Sequence, residues 1–348
     1  MSPYILAIFL MSLGLGTTIT FASSHWLLAW MGLEINTLAI IPLMARHHHP
    51  RATEAATKYF LTQATAAATL LFATISNAWL TGQWEIQQLN HNISITIFTI
   101  AMALKIGLAP VHSWLPEVLQ GLDLNTGLIL STWQKLAPLA LLYQVDMTNS
   151  KILTLFAITS ALVGGWGGLN QTQLRKILAY SSISHLGWMI LILQFYPSLT
   201  MMTLWIYIAM TSSTFLIFKL SKATNINSLA MSWAKSPILA AITPLVLLSL
   251  GGLPPLTGFL PKWFILHELT KQNLLLLALL MAFTALLSLF FYVRLAYAMT
   301  LTSFPNTTTG VTPWRFPSNQ HSLPIAMLIM VSISLLPIAP TLMTLFHS

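Results

Sequence analysis

Six side chains in this sequence could hold or pass a proton at membrane depth. Glu34 lies in WMGLEINTL; Lys105, Lys135 and Lys262 lie in apolar surroundings, and His112 and His185 fall among them. A carboxylate or ammonium is costly in hydrocarbon and needs a partner, water or a polar cavity. Glu34 is expected to pair with Lys105. Moving the two together or apart would change whether the lysine keeps its proton, which is what a proton pump requires, and the pair would titrate as one unit. Histidine titrates near neutral pH and suits a relay; for His112 and His185 a hydrogen-bonded packing role is the competing reading. Ser181, Ser182 and Ser184 stand near His185 and could bond across helices or hold water. Glu117 is either a second carboxylate for the lysine row or an interfacial charge.

Two stretches must position these groups. The first is Lys105–Pro116, KIGLAPVHSWLP, which follows an apolar run. Gly107, Pro110 and Pro116 predict a helix break near Ala109–Pro110, because proline removes a backbone donor and crowds the preceding turn. The second runs from Gly252 to Pro261. Gly107–Pro116 and Gly252–Pro261 align without gaps, with five of ten positions identical, and Lys262 directly follows the second copy. Broken backbone survives at membrane depth only where it is buried in protein or lines a cavity. Paired interrupted segments in two halves of a chain mark a transport site.

The composition makes a membrane home necessary. Of 348 residues 56% are hydrophobic and 6% charged. Mean hydropathy is +0.75. Apolar runs predict an all-α polytopic membrane protein with eleven crossings at 3–22, 25–44, 54–80, 92–120, 125–144, 150–169, 174–194, 199–220, 237–271, 274–298 and 323–346. The fourth and ninth are broken. Ten of the 15 basic residues flank loops after even-numbered crossings, against two after odd-numbered ones, Lys151 and Lys271. The basic side is the inner side, so the N-terminus is expected inside and the C-terminus outside. An offset of five crossings between the breaks predicts two inverted five-helix repeats, 1–145 and 146–300, within one transmembrane domain. An inner linker, 301–322, and a final helix, 323–346, complete it.

Other features read more plainly. RHHHPRAT at 46–53 is expected to be a solvated loop rather than a metal site. Asn306-Thr-Thr matches a glycosylation sequon, but the topology puts it inside. Trp26, Trp79, Trp84 and Trp314 near span ends fit an aromatic belt. The absence of cysteine excludes disulfides and thiolate metal or iron–sulfur sites. No nucleotide-binding glycine loop appears. The net charge of +8 sits mostly in loops and calls for no nucleic acid. No basic leader precedes the first apolar run, so the chain is expected to insert as made.

KIGLAPVHSWLPEVLQG, WQKLAP, GGLNQTQLRKILAYSSISHLGWM and GGLPPLTGFLPKW together resemble the antiporter-like membrane subunits of respiratory complex I, essentially from end to end. The resemblance implies a buried hydrophilic axis, with Glu34 and Lys105 as the modulating pair, Lys135 as the central relay and Lys262 as the lysine of the second broken helix. His112 and His185 match the family's histidines. It implies a mitochondrial inner-membrane location, N-terminus in the matrix and C-terminus in the intermembrane space. NADH, FMN, iron–sulfur clusters and ubiquinone would belong to partner subunits; this chain would bind none. Its partners would be other membrane and accessory subunits and anionic phospholipid such as cardiolipin. Where some relatives carry Ala-Pro after the first break, this chain has Leu122-Asp123. Two rival readings remain: a free-standing cation/proton antiporter, against which the excess of midspan lysines over carboxylates argues, and a purely structural subunit, which leaves the buried ionisable row unexplained.

Overall fold

A computed structural model describes residues 3–46, 49–89, 91–145, 151–234, 236–301, 322–341 and 344. Among them the secondary structure is helical apart from two isolated bridges, His25–Glu85 and Gln173–Asn225. The chain forms two compact units, Met1–Ala157 and Ile158–Ser348.

The first unit holds α1 (Pro3–Ala22), α2 (Trp26–Met44), α3 (Pro50–Thr81), α4 (Asn92–Ile106), α5 (Trp114–Gly121), α6 (Leu124–Ser131) and α7 (Trp133–Gln144). Helices α1 and α2 cross at Gly16 and Gly32. A β-carbon on Gly16 would lie 2.8 Å from the Gly32 carbonyl, so only glycine lets the backbones meet. Thirty-two residues make α3 about 48 Å long. That exceeds the hydrocarbon thickness of about 30 Å, which leaves its first turns, with Glu54 and Lys58, to reach beyond the apolar layer. His49 caps α3 by accepting from the Arg51 amide, and Gly82 ends it at φ 75°. His49 is therefore spent on a helix end; His47 and His48 lie outside the described residues.

Helix α8 (Lys151–Gly167) leads into the second unit. There follow α9 (Leu174–Leu193), α10 (Pro197–Ser221), α11 (Ile226–Ala230), α12 (Pro237–Gly251), α13 (Phe259–Lys271), α14 (Leu275–Leu301) and α15 (Ser322–Ser334). Nearly all of α9 is buried, so it is the unit's central helix. Arg294 on α14 donates from both guanidinium arms to the carbonyls of Leu169 and Gln171, closing the turn after α8. Arg294 is thus a partly buried clamp rather than a solvated loop charge. Thr257 ties the second break to α15 by donating to the Ser332 carbonyl.

Among the described residues six helices, α1, α2, α3, α9, α10 and α14, are long and apolar enough to cross a membrane. The others are shorter, in part because breaks divide their crossings. Both anticipated breaks occur. A third was not foreseen: the fifth crossing, read as continuous, divides at Thr132, whose φ of −114° and ψ of −67° interrupt the helix between α6 and α7. Thr132 donates its hydroxyl to the Leu128 carbonyl at 2.7 Å, and such a back-bond bends helices. Trp26 also departs from expectation. It is 1% exposed and packs edge-on against Phe98, so it belongs to the core, whereas Trp79 is 87% exposed as a belt residue would be. Apart from Leu301 and Ser322, the linker with Asn306, Trp314 and Arg315 lies outside the described residues, as does part of the last crossing.

Candidate proton-transfer site

Each of the two anticipated breaks is built by a glycine. Gly107 takes φ 86°, ψ 43°, and Gly252 takes φ 80°, ψ 47°, a left-handed conformation that glycine adopts without the side-chain penalty. In both, the glycine amide bonds four residues back, and the following leucine, Leu108 or Leu253, bonds five back to Ala103 or Leu248. This satisfies the carbonyls at the helix end. The helix stops at Ile106 and Gly251, one turn ahead of the prolines that predicted the break, and resumes at Trp114 and Phe259. Stop, glycine and restart all differ by 145 positions (251−106, 252−107 and 259−114). The duplicated motif thus encodes a duplicated backbone device.

The lysines do not follow that duplication. Lys105 ends the half-helix before its break, and position 250, its counterpart, is leucine. Lys262 lies in the half-helix after its break, and its counterpart is Glu117. Lys262 reaches back across the break and donates to the Gly251 carbonyl at 2.8 Å. A cation suits this position, since the last carbonyls of a helix carry partial negative charge. Glu117 turns to Lys58 at 2.8 Å, and both side chains are about half exposed, so it is a surface partner of α3 and not a member of the lysine row.

In the first unit Lys105 and Lys135 line one cavity, with Asn36, Thr37, Tyr59, Gln63 and Gln134 as its other polar walls. It offers about 20 Å³ to water centres, room for about one molecule, for which 10–15 Å³ suffices. Both lysines are buried, at 6% and 3% exposure. The surrounding bonds fix the walls. Gln63 donates to the Lys105 carbonyl at 3.3 Å, and the Trp114 indole donates to the Leu104 carbonyl at 3.1 Å, pinning the restart of α5 to the end of α4. Helix α7 is held through Trp133 to Leu13, Gln134 to Asn36 and Gln144 to Phe21, each a side-chain donor on a carbonyl of α1 or α2.

The expected Glu34–Lys105 contact is not closed. Among the described residues the ion pairs of 4.0 Å or less are Lys58 with Glu54 and Glu117, and Lys271 with Glu268. Glu34 accepts from the Thr37 hydroxyl at 3.2 Å and acts on Lys105 and Tyr59 electrostatically. The shorter bond of that hydroxyl, 2.9 Å, goes to the Glu34 main-chain carbonyl, and the carboxylate stays outside ion-pair distance of the Lys105 amine. His112 sits in the turn of the first break with Nδ1 3.2 Å from the Pro110 carbonyl, partly exposed and away from the cavity walls.

In the second unit His185 and Lys262 share a smaller cavity of about 10 Å³, at the lower limit for one water. Thr203 and Tyr207 are further polar walls, and the Tyr207 ring lies 5.6 Å from that of His185. Ser181, Ser182 and Ser184 each donate to the carbonyl three residues back in α9, so their hydroxyl protons serve their own helix. Ser182 also meets Tyr207 across to α10. Sequence reasoning passed over Asn36, Gln63, Gln134 and Tyr207. The available signal was polarity inside an apolar span, the same signal that singled out Glu34.

These features define a polytopic helical membrane protein whose buried protonatable side chains gather at breaks in its helices. Residues 23–288 match the NADH:quinone oxidoreductase/Mrp antiporter transmembrane family, and 289–343 match the NADH dehydrogenase subunit 2 C-terminus. The NADH-ubiquinone oxidoreductase chain 2 of Tetraodon nigroviridis is 67% identical over 347 residues, covering 100% of both chains. A chain of respiratory complex I from Thermus thermophilus, solved with bound aureothin, superposes with TM-score 0.86 at 27% identity, over 98% of this chain and 81% of that one. A chain of the Mrp complex from a Dietzia species shares the fold, with TM-score 0.79 at 16% identity over 96% and 75% of the two chains. This chain belongs to the NADH:quinone oxidoreductase/Mrp antiporter family, and its C-terminal segment sets it with the chain-2 branch.

Proposed function

We propose that this chain is a proton-translocating, antiporter-like core subunit of a respiratory NADH:ubiquinone oxidoreductase, driven by redox chemistry in other subunits. The observation that carries this reading is the cavity shared by two buried lysines, Lys105 and Lys135, at breaks in their helices. Two such lysines cannot both hold a proton cheaply in one small polar space. The cavity is therefore a place where one proton is exchanged rather than two charges stored. Glu34, outside ion-pair contact but at electrostatic range of Lys105, biases which lysine keeps it. His185 and Lys262 form a corresponding local station, where the proton rests near the Gly251 carbonyl or on the imidazole. His112 acts at the first break as an entry group. The likeness to chain-2 relatives over the full length supports a place among complex I subunits in the mitochondrial inner membrane, and the basic loops after even-numbered crossings support an N-terminus in the matrix. The basic inner loops would suit anionic lipid such as cardiolipin. A free-standing cation/proton antiporter fits less well, since it would need carboxylates where these cavities present lysines.

The test is Lys105→Met, Lys135→Met and Lys262→Met, each in the whole complex reconstituted in vesicles. NADH-driven proton uptake is measured beside native size and quinone reduction. Uptake per NADH should fall in all three while the complex keeps its size. Normal uptake in all three would refute the reading and favour a structural subunit.

A further inference from the structure

Asn36 is the polar wall residue that neither its own helix nor the mechanism accounts for. It is 2% exposed, it lines the cavity of Lys105 and Lys135, and neither its amide nitrogen nor its amide oxygen has a hydrogen-bond partner in the chain. Lys105 Nζ, on the same cavity, is likewise buried without one. An unsatisfied buried amide is expensive, and buried polar groups in native proteins are paired with protein or with water. The fold makes room for this amide specifically. A β-carbon on Gly16 would stand 2.4 Å from Asn36 Oδ1, so the glycine of α1 leaves the space the side chain occupies. The main chain of Asn36 is fixed independently, since its carbonyl accepts from Gln134, the neighbour of Lys135. One residue therefore touches both sides of the cavity.

We propose that Asn36 is a positioning residue for proton exchange between Lys105 and Lys135, its amide holding the water that joins them. The amide oxygen lies against Gly16 of α1, so it is the amide N–H₂ that donates to the water oxygen, which leaves both water hydrogens for the exchange. The step is balanced: one ammonium gives its proton to the water as the water gives one of its own to the other amine, and the water is regenerated. The inference rests on the proton-translocating reading above and adds a residue that touches neither lysine's charge.

The test separates holding water from filling space. Asn36→Leu keeps the branched shape and loses both polar atoms, whereas Asn36→Ser loses shape and keeps a hydroxyl. Both are assayed in the intact complex for NADH-driven proton uptake and its solvent isotope effect. If Asn36 positions water, the leucine variant loses about tenfold in coupled uptake, the equivalent of one hydrogen bond, and the serine variant stays near the parent. If Asn36 only packs α2 against α1, the order reverses, and that order overturns the proposal. Should the leucine variant fail to assemble, Asn36→Thr and Asn36→Val, equal in shape and different in one hydroxyl, pose the same question. Equal uptake in that pair overturns it as well. Loss of uptake in Lys105→Met with none in the apolar Asn36 variants would remove this inference alone; no loss in these or in any of the three lysine variants would remove the underlying reading.

Discussion

Gly252→Ala tests how a break and its lysine are coupled. Gly252 sits at φ 80°, and an added β-carbon would stand 3.0 Å from Lys262 Nζ and 3.1 Å from Lys262 Cδ. The variant carries two costs. The left-handed backbone costs an alanine about 1–2 kcal/mol. Displacing Nζ from the Gly251 carbonyl forfeits a hydrogen bond to a charged group, about 1.5–3 kcal/mol. Gly82→Ala separates them, because Gly82 has φ 75° and nothing within 4 Å of its β-carbon. Both variants bear the backbone cost; only Gly252→Ala bears the second. The readout is amide hydrogen exchange in the intact complex. Peptides over the end of α12 should open more in Gly252→Ala than peptides over the end of α3 in Gly82→Ala. The excess is about 10–150-fold, the exponential of the second cost. Proton uptake should fall only in Gly252→Ala. Equal increases in exchange would mean that Lys262 does not brace the break, and the argument would fail.

Three smaller predictions follow from single contacts. Trp114→Phe removes the indole donor to the Leu104 carbonyl while leaving an aromatic ring near Tyr59; it should cost about 1 kcal/mol, read as faster exchange between the end of α4 and the start of α5. Arg294→Lys keeps the charge but cannot reach both Leu169 and Gln171 with a planar fork, so protease cleavage at the turn after α8 should rise although the charge is unchanged. Lys58→Met breaks the exposed pairs with Glu54 and Glu117 and should leave thermal stability and proton uptake unchanged at moderate salt; a clear loss of uptake would put Glu117 back among the functional carboxylates.

Much of the fold was written in local chemistry. A glycine and leucine followed three positions after the glycine by proline disfavour a continuous helix through the backbone itself, so two copies of the motif predicted two breaks. Length and hydropathy found the crossings for a similar reason: water and hydrocarbon act on every residue alike. The break at Thr132 escaped because threonine ends helices only in context, and nothing in LSTWQKLAP demands it.

The identities of the buried titratable groups were also legible, since a lysine, glutamate or histidine in an apolar run stands out against its neighbours. What they touch was not. Tertiary structure decided that Lys105 and Lys135 share a cavity with Asn36, and that Glu34 stays outside ion-pair contact with Lys105. It likewise decided that Glu117 faces Lys58, and that Lys262 crosses its break to Gly251. Sequence spacing fixes neighbours along one helix by its period, but a cavity is made by side chains from several helices. Their rotation and depth depend on where small residues such as Gly16 and Gly32 let backbones approach. Charge type is a property of a residue, whereas proton exchange is a property of distances between residues, and only packing sets those.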